Sequence, residues 1–568
     1  MRTVLDSLIT PSSILAICIL LFSVFLLICR KKLHTILWRV LCYIPLLACV
    51  IHALVYYLGK QESVALTWFG PMYLTALLIA LWPLVKCRKI IYRIIAGIGV
   101  ALSVFNSIYI PAGTSLPTHL HNYTYQDWTD SFISTVRAME KEYPISDWKG
   151  LDYDALLEEF VPRIQEAERN QDLNAFGIAL YDYCNRFYDG HVYSVPLNTE
   201  MVDDMNRELL GNDYGLSLIT LDNGEVVAVH VEPDSEAAVN GIRTGTVITH
   251  WDGVPVNEAK YSFTFPIKPP VKENEEPTRT MMLAAQGGDT VSVTFVADDG
   301  AEKTVLLHRI GDYVSRFAEV YYNRFSHGVE ADENYSYKMI SDTCGYLRIH
   351  SESLPVFERV YSIATNESPF MTERVDEILG ELQAEGMTNL VIDIRNNTGG
   401  QPEVPTAIAS LFAEDSFTYG WQNCTTDENG EIHKYDPLVV QRNGKWKDLP
   451  VVVLVNQRTV SGGDEMSDLL SSFPNVTLMG MTPSNCSCQA TGGVSYLADG
   501  LFVIYYPVVL NLTDANNDPL IDTDTSRETR IPLEVRIPIN EKAVREIFDE
   551  EQQDYELEYA VDWLSNHH

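Results

Sequence analysis

The stretch LPVVVLVNQRTVSGGDEMSDLL, Leu449 to Leu470, changes character twice. It opens as an apolar, β-branched run, the pattern of a strand buried on both faces. Gly462 and Gly463 then punctuate the chain, and DEMSDLLSSF follows with the spacing of an amphipathic helix. Ser461 therefore stands at the tip of a strand-to-helix turn, beside backbone N–H groups that glycine leaves uncovered. A serine there can cap the helix, or it can hold a reactive hydroxyl at the end of a sheet.

The same alternation extends on both sides. CGYLRIHS (Cys344–Ser351) predicts a strand, FMTERVDEILGELQAEG (Phe370–Gly386) a helix, and TNLVIDIRNNTGG (Thr388–Gly400) a strand ending in paired glycines. VPTAIASLF continues as helix, and VTLMGM and LFVIYYPVVL as strands. Apolar strands alternating with helices imply an α/β sheet covered on both faces. Further upstream, Tyr125 to Phe187 has helical periodicity, and about 212–310 reads as short strands and glycine turns.

Charge divides the chain. Before Pro111 there are ten Lys/Arg and two Asp/Glu; after it there are 31 and 75. So acidic a body repels nucleic acid. The first 110 residues hold four apolar runs, Ile14–Cys29, Ile36–Leu58, Val64–Val85 and Ile90–Ile110, each near the length that crosses about 30 Å of hydrocarbon. Arg30, Lys31, Lys32 and Arg39, then Lys86, Arg88, Lys89 and Arg93, mark the links that would face the cytoplasm. The expectation is a multi-pass cell-membrane protein with lipid around four spans and the remainder extracytoplasmic. Of the ten cysteines none forms a CxxC pair, and no Cys/His spacing suits zinc, so neither metal nor cofactor is expected.

Three motifs carry the chemistry. FYDGHVYSV places His191 before a strand, DIRNNTGG ends in Gly399–Gly400, and RTVSGGDE offers Ser461. Between the first and the others lie YGLSL, VEPDSEAAVNGIRTGTVI and WDGVPV, which resemble a PDZ domain with Tyr214, Gly215, Leu216 and Ser217 as its carboxylate-binding loop. Together and in this order, over about Asp127 to Pro538, these features resemble the S41 family of serine peptidases. Relatives of the processing-protease branch activate serine with a lysine about 25 residues on. Here GMTPSNCSCQATGG occupies that place, and no lysine lies between Ser461 and Lys542. The resemblance therefore implies the histidine-based, tricorn-like branch. Ser461 is the nucleophile, His191 the base and Glu528, in SRETRIPLEVRIP, the orienting carboxylate. Thr529 and Leu533 stand where that segment usually has glycine and aspartate. Asp464, Glu465 and Asp524 are further carboxylates for the role, and Asp189 reads as a turn residue. Gly462 with Gly399 or Gly400 would supply the oxyanion donors.

The expected organisation is multi-domain. Four transmembrane helices (1–110) and a stalk (111–125) precede a helical part of the peptidase carrying the DGH motif (126–205). A PDZ-like domain (206–312), an α/β core of ClpP/crotonase type (313–545) and a helical tail (546–568) follow. The expected activity is hydrolysis of peptide bonds, with the PDZ-like module guiding a polypeptide by its C-terminus. The competing expectation is an inactive S41-like receptor or scaffold.

Overall fold

The computed structural model describes residues 119–567 except 325–333, 366, 423–424, 427–431, 434–435, 490 and 549–553, together with Phe25, Leu41 and Ile44. It divides into two units, Met1–Leu120 with Pro355–Ala364, and His121–Leu354 with Thr365–His568. The second carries every candidate residue named above.

Its central sheet has six strands in the order β1 (Tyr335–Met339), β2 (Cys344–Ile349), β3 (Asn389–Asp393), β4 (Val451–Leu454), β5 (Val476–Gly480) and β6 (Val535–Arg536). The first pair is antiparallel and the rest are parallel. Period-two alternation distributes each apolar run over two cores. Leu390, Ile392, Val451 and Val453 face a core shared with Val375, Leu379, Ile408 and Met466. Val391, Val452 and Leu454 face the opposite one, with Ile219, Val227 and Val229 of the β-rich module and Ala560 and Leu564 of the C-terminal helix. Burial on both sides is why VVVL and NLVID lack a polar face.

Three helices, α1 (Trp128–Glu142), α2 (Tyr153–Asn170) and α3 (Leu173–Asn185), pack with Phe502, Ile504 and Tyr506. Asp152 and Asp172 start the second and third by accepting the N–H of Ala155 and Ala175, each at 3.0 Å. Two helices complete the frame, α4 (Gly462–Ser471) after β4 and α5 (Tyr555–His567) at the C-terminal end. Fully buried Arg395 ties α5 to the sheet: it bonds Asp393 (2.7 Å), Asp554 (2.7 Å) and Glu556 (3.1 Å).

One expectation is corrected here. Among the described residues no helix is long and apolar enough to cross a membrane. The longest of α1–α5, α2, is 18 residues and turns a charged face outward, whereas a span needs about 20 predominantly apolar residues. This overturns the four-helix transmembrane part of the fold class, with its bilayer partner, and the multi-pass localisation. The four apolar runs lie outside the described residues, apart from Phe25, Leu41 and Ile44. At the loop expected to receive a peptide carboxylate, one amide already has an acceptor within the chain. Tyr214, Leu216 and Ser217 are buried. The Gly215 N–H donates to Asp213 at 2.7 Å, and Arg316 holds that carboxylate at 2.8 Å. The Ser217 hydroxyl pairs with Tyr313.

Candidate active site

The loops that leave β3 and β4 are joined side by side. Asn456 accepts the N–H of Asn396 (3.1 Å) and donates to its side chain (3.2 Å), while the Thr459 hydroxyl donates to Ile394 O (2.8 Å). The Val460 N–H donates to Asn397 O at 2.9 Å. The next residue, Ser461, has φ +64° and ψ −123°, a conformation that costs a non-glycine residue about 1–3 kcal/mol. It persists because its neighbours fix it. The Ser461 N–H donates to Ser487 O (3.0 Å) and to Asp464 Oδ2 (3.1 Å), and its carbonyl accepts the Glu465 N–H (3.0 Å).

The paired glycines lie against this turn. A Cβ on Gly399 would stand 2.6 Å from both Gly462 N and Ser461 Cβ; one on Gly400 would stand 2.5 Å from the Glu352 carbonyl carbon. Only glycine allows that approach. The Gly399 N–H is already committed to Asn397 Oδ1 at 2.7 Å. No described residue accepts the N–H of Gly400 or Gly462, so these two remain as donors of the three expected.

His191 reaches the same place from the end of α3. Gly190 donates its N–H to Ser487 Oγ at 2.9 Å, and the carbonyl of that same Ser487 takes the Ser461 N–H. A Cβ on Gly190 would meet Asn485 Oδ1 at 2.7 Å and Val460 Cγ2 at 3.3 Å, so the histidine turn packs on the serine turn. The His191 side chain is 14% exposed, and its Nδ1 lies 3.6 Å from Asp189 Oδ1. Asp189 is wholly enclosed; it accepts the His191 N–H (2.8 Å) and the Tyr143 hydroxyl (2.7 Å). Burial disfavours the imidazolium, but Asp189, with Asp522 and Asp464 farther off, holds His191 above the ordinary histidine range. Burial likewise works against the Asp189 charge, and His191 and Lys149 hold it below the ordinary carboxylate range.

Glu528 is elsewhere. Its segment does approach the histidine turn, since Arg527 stacks 3.8 Å over the Tyr188 ring. Yet the Glu528 side chain is exposed and makes no hydrogen bond among the described residues. Sequence reading missed three organising roles. Asp464, weighed above only as a carboxylate for the histidine, instead bonds the N–H of Ser461, Cys486 and Ser487, so it stitches the serine turn to the GMTPSNCSC segment. Ser487 joins both turns. Asp189 was legible only as a turn former, although an acid two residues before the histidine is its one sequence signal. Cys184, Cys344, Cys486 and Cys488 are buried and free. Among the described residues no group of His, Cys, Asp or Glu is arranged to hold a metal ion.

Residues 343–503 match peptidase family S41. The stretch includes β2 to β5, Gly399–Gly400 and Ser461, and the expected enzyme class, a serine peptidase, stands. No curated protein matches the sequence. Among solved structures, mature CPAF is similar at 13% identity and a TM-score of 0.50, over 77% of this chain and 98% of that one. The photosystem II D1 C-terminal processing protease is similar at 16% identity and TM-score 0.31, over 75% and 99%. The tricorn protease is similar at 17% identity and TM-score 0.30, over 77% and 37%. The first likeness concerns the fold alone; the other two are too loose to bear on it.

Buried acids in and near the site make the stability of the chain depend on pH. Burial pushes Glu352, Asp464 and Glu556 each up to about 7. The folded chain thus keeps protons that the unfolded chain has released, and stability falls as pH rises from about 4 to about 7. His191, raised by its partner, adds a loss of the same sign through its own titration. Depressed Asp182 and Asp189 act only below about pH 4. Urea unfolding is expected to show a higher midpoint at pH 5.5 than at 7.5, with an unfolding free energy larger by several kcal/mol, since each tenfold change in a group's proton affinity is worth about 1.4 kcal/mol. A midpoint that rises with pH would contradict this.

Proposed function

We propose that this chain hydrolyses peptide bonds in protein or peptide substrates, with Ser461 as nucleophile and His191 as general base. The observation that carries the reading is Ser487, which bonds the strained Ser461 turn with its carbonyl and the His191 turn with its hydroxyl. A serine hydroxyl attacks a carbonyl only as a base removes its proton, and imidazole does this near neutrality before passing the proton to the leaving amine. Asp189 faces the second ring nitrogen, where a carboxylate fixes the tautomer and stabilises the imidazolium. The N–H groups of Gly462 and Gly400 receive the oxyanion, each such donor being worth about 10²–10³ in rate. A fluorophosphonate probe is expected to label the wild-type chain and not Ser461→Ala, with hydrolysis of an unfolded protein substrate lost in parallel. Equal labelling of both proteins would remove Ser461 from the role.

A further inference from the structure

Beneath the oxyanion donors lies an acid that the reaction scheme above does not use. Glu352, three residues past β2, is wholly buried. Its backbone brackets Gly400: its N–H donates to Gly399 O (3.2 Å), and its carbonyl accepts the Gln401 N–H (3.1 Å). Its Oε1 accepts from Asn397 Nδ2 at 2.8 Å, and Asn397 Oδ1 in turn holds the Gly399 N–H at 2.7 Å. The other oxygen, Oε2, is buried with no hydrogen-bond partner among the described residues. It lies against Gly462, 3.0 Å from where a Cβ would stand there, and Gly400 N is 3.1 Å from the same point. One residue thus lies against all three glycines, Gly399, Gly400 and Gly462.

We propose that Glu352 is a positioning residue for the oxyanion donors and that it works as a neutral acid. This rests on the peptidase reading and adds a device to the same site. The neutral group holds Asn397, and through it Gly399, without placing charge under the amides that receive the oxyanion. An ionised Glu352 sets a negative charge beneath a developing negative charge, in an enclosed place where such repulsion is strong. Its surroundings favour the neutral form. Asp464 and Glu465 face it from α4, Glu403 stands next to Glu465, Asn397 is its one hydrogen-bonding side chain, and no described cation pairs with it. Burial and the Asp464 charge lift its titration to about 7, within the working range of a histidine base.

The test is the pH profile of kcat between pH 5.5 and 9 for the full chain, on an unfolded protein substrate, with Ser461 labelling measured alongside. The wild type is expected to lose activity on the alkaline side, by about 10²-fold, the scale of one lost oxyanion donor. Glu352→Gln keeps the shape and cannot ionise; it is expected to retain activity at low pH and to lack the alkaline fall. Glu352→Met removes the Asn397 bond as well and is expected to be slower at every pH, again without the fall; it serves if the first variant does not fold. A wild type with no alkaline fall, or a fall that persists in both variants and so belongs to Asp464 or another acid, overturns the proposal. Absence of Ser461 labelling in the wild type would instead defeat the peptidase reading itself.

Discussion

Asp189→Asn is expected to lower kcat by about 10⁴-fold, the scale of loss when the carboxylate behind a catalytic histidine becomes an amide. In this chain the carboxylate accepts the His191 N–H and the Tyr143 hydroxyl, and it faces Nδ1 at 3.6 Å. An asparagine has only one acceptor oxygen: with its NH₂ towards the ring nitrogen it selects the wrong tautomer, and with its NH₂ towards Tyr143 it still lacks the charge that stabilises the imidazolium. Loss of the negative charge also removes what raises His191, so the acidic limb of kcat/KM is expected to move to lower pH. That displacement separates the role from simple support of the fold, which would lower activity without moving the limb. Glu528→Gln is the comparison. From its exposed position it is expected to cost under about 10-fold, far below the loss from truncating a group that acts with the nucleophile. If Glu528→Gln carries the large loss and Asp189→Asn the small one, the orienting carboxylate is the one expected from the family segment. In that case the loop around Arg527 must rearrange when substrate binds.

What the sequence showed and hid follows from the range of each interaction. The apolar runs of β3 and β4 and the glycines after them are local signals, and they single out the Ser461 turn and the Gly399–Gly400 loop, which lie side by side in the fold. A doubly covered sheet leaves that trace because every residue of VVVL is buried. The linking groups are not local. Asp464 bonds Cys486 and Ser487, 22 and 23 residues away, and Ser487 meets Gly190 across 297 residues. No periodicity records such pairings. Glu528 was chosen because its segment resembles one in relatives, but resemblance of a segment does not fix where one side chain turns. At YGLSL the sequence shows the loop pattern but not that Asp213, immediately before it, accepts the Gly215 N–H. Hydropathy in the first 110 residues argued for spans, whereas no described helix has that character.

Gly399→Ala is expected to abolish measurable hydrolysis while leaving most of the fold intact, because two penalties coincide at one atom. The residue has φ +86°, where an L-residue is strained by about 1–2 kcal/mol. Its new Cβ would also press on Gly462 N and Ser461 Cβ at 2.6 Å and on Val460 O at 2.9 Å. All three belong to the serine turn rather than to the end of a flexible side chain, so the loop must move away from the turn. Either Gly400 leaves its place beside Gly462 or Ser461 leaves its fixed conformation. A displacement of about 1 Å in such a constellation costs about 10² in rate, and loss of a donor adds about 10²–10³. Gly241→Ala separates the two penalties. Gly241 has φ +93° and open space within 4 Å, so alanine there brings the same backbone strain without the contact. It is expected to lose about 1–2 kcal/mol in urea unfolding and to keep full activity. Gly399→Ala should show a similar or moderately larger stability loss but an activity loss of at least about 10³. Equal activity in the two variants would mean that the Gly399–Gly400 loop takes no part in holding the reacting groups, and the oxyanion site would have to be sought on the other side of Ser461.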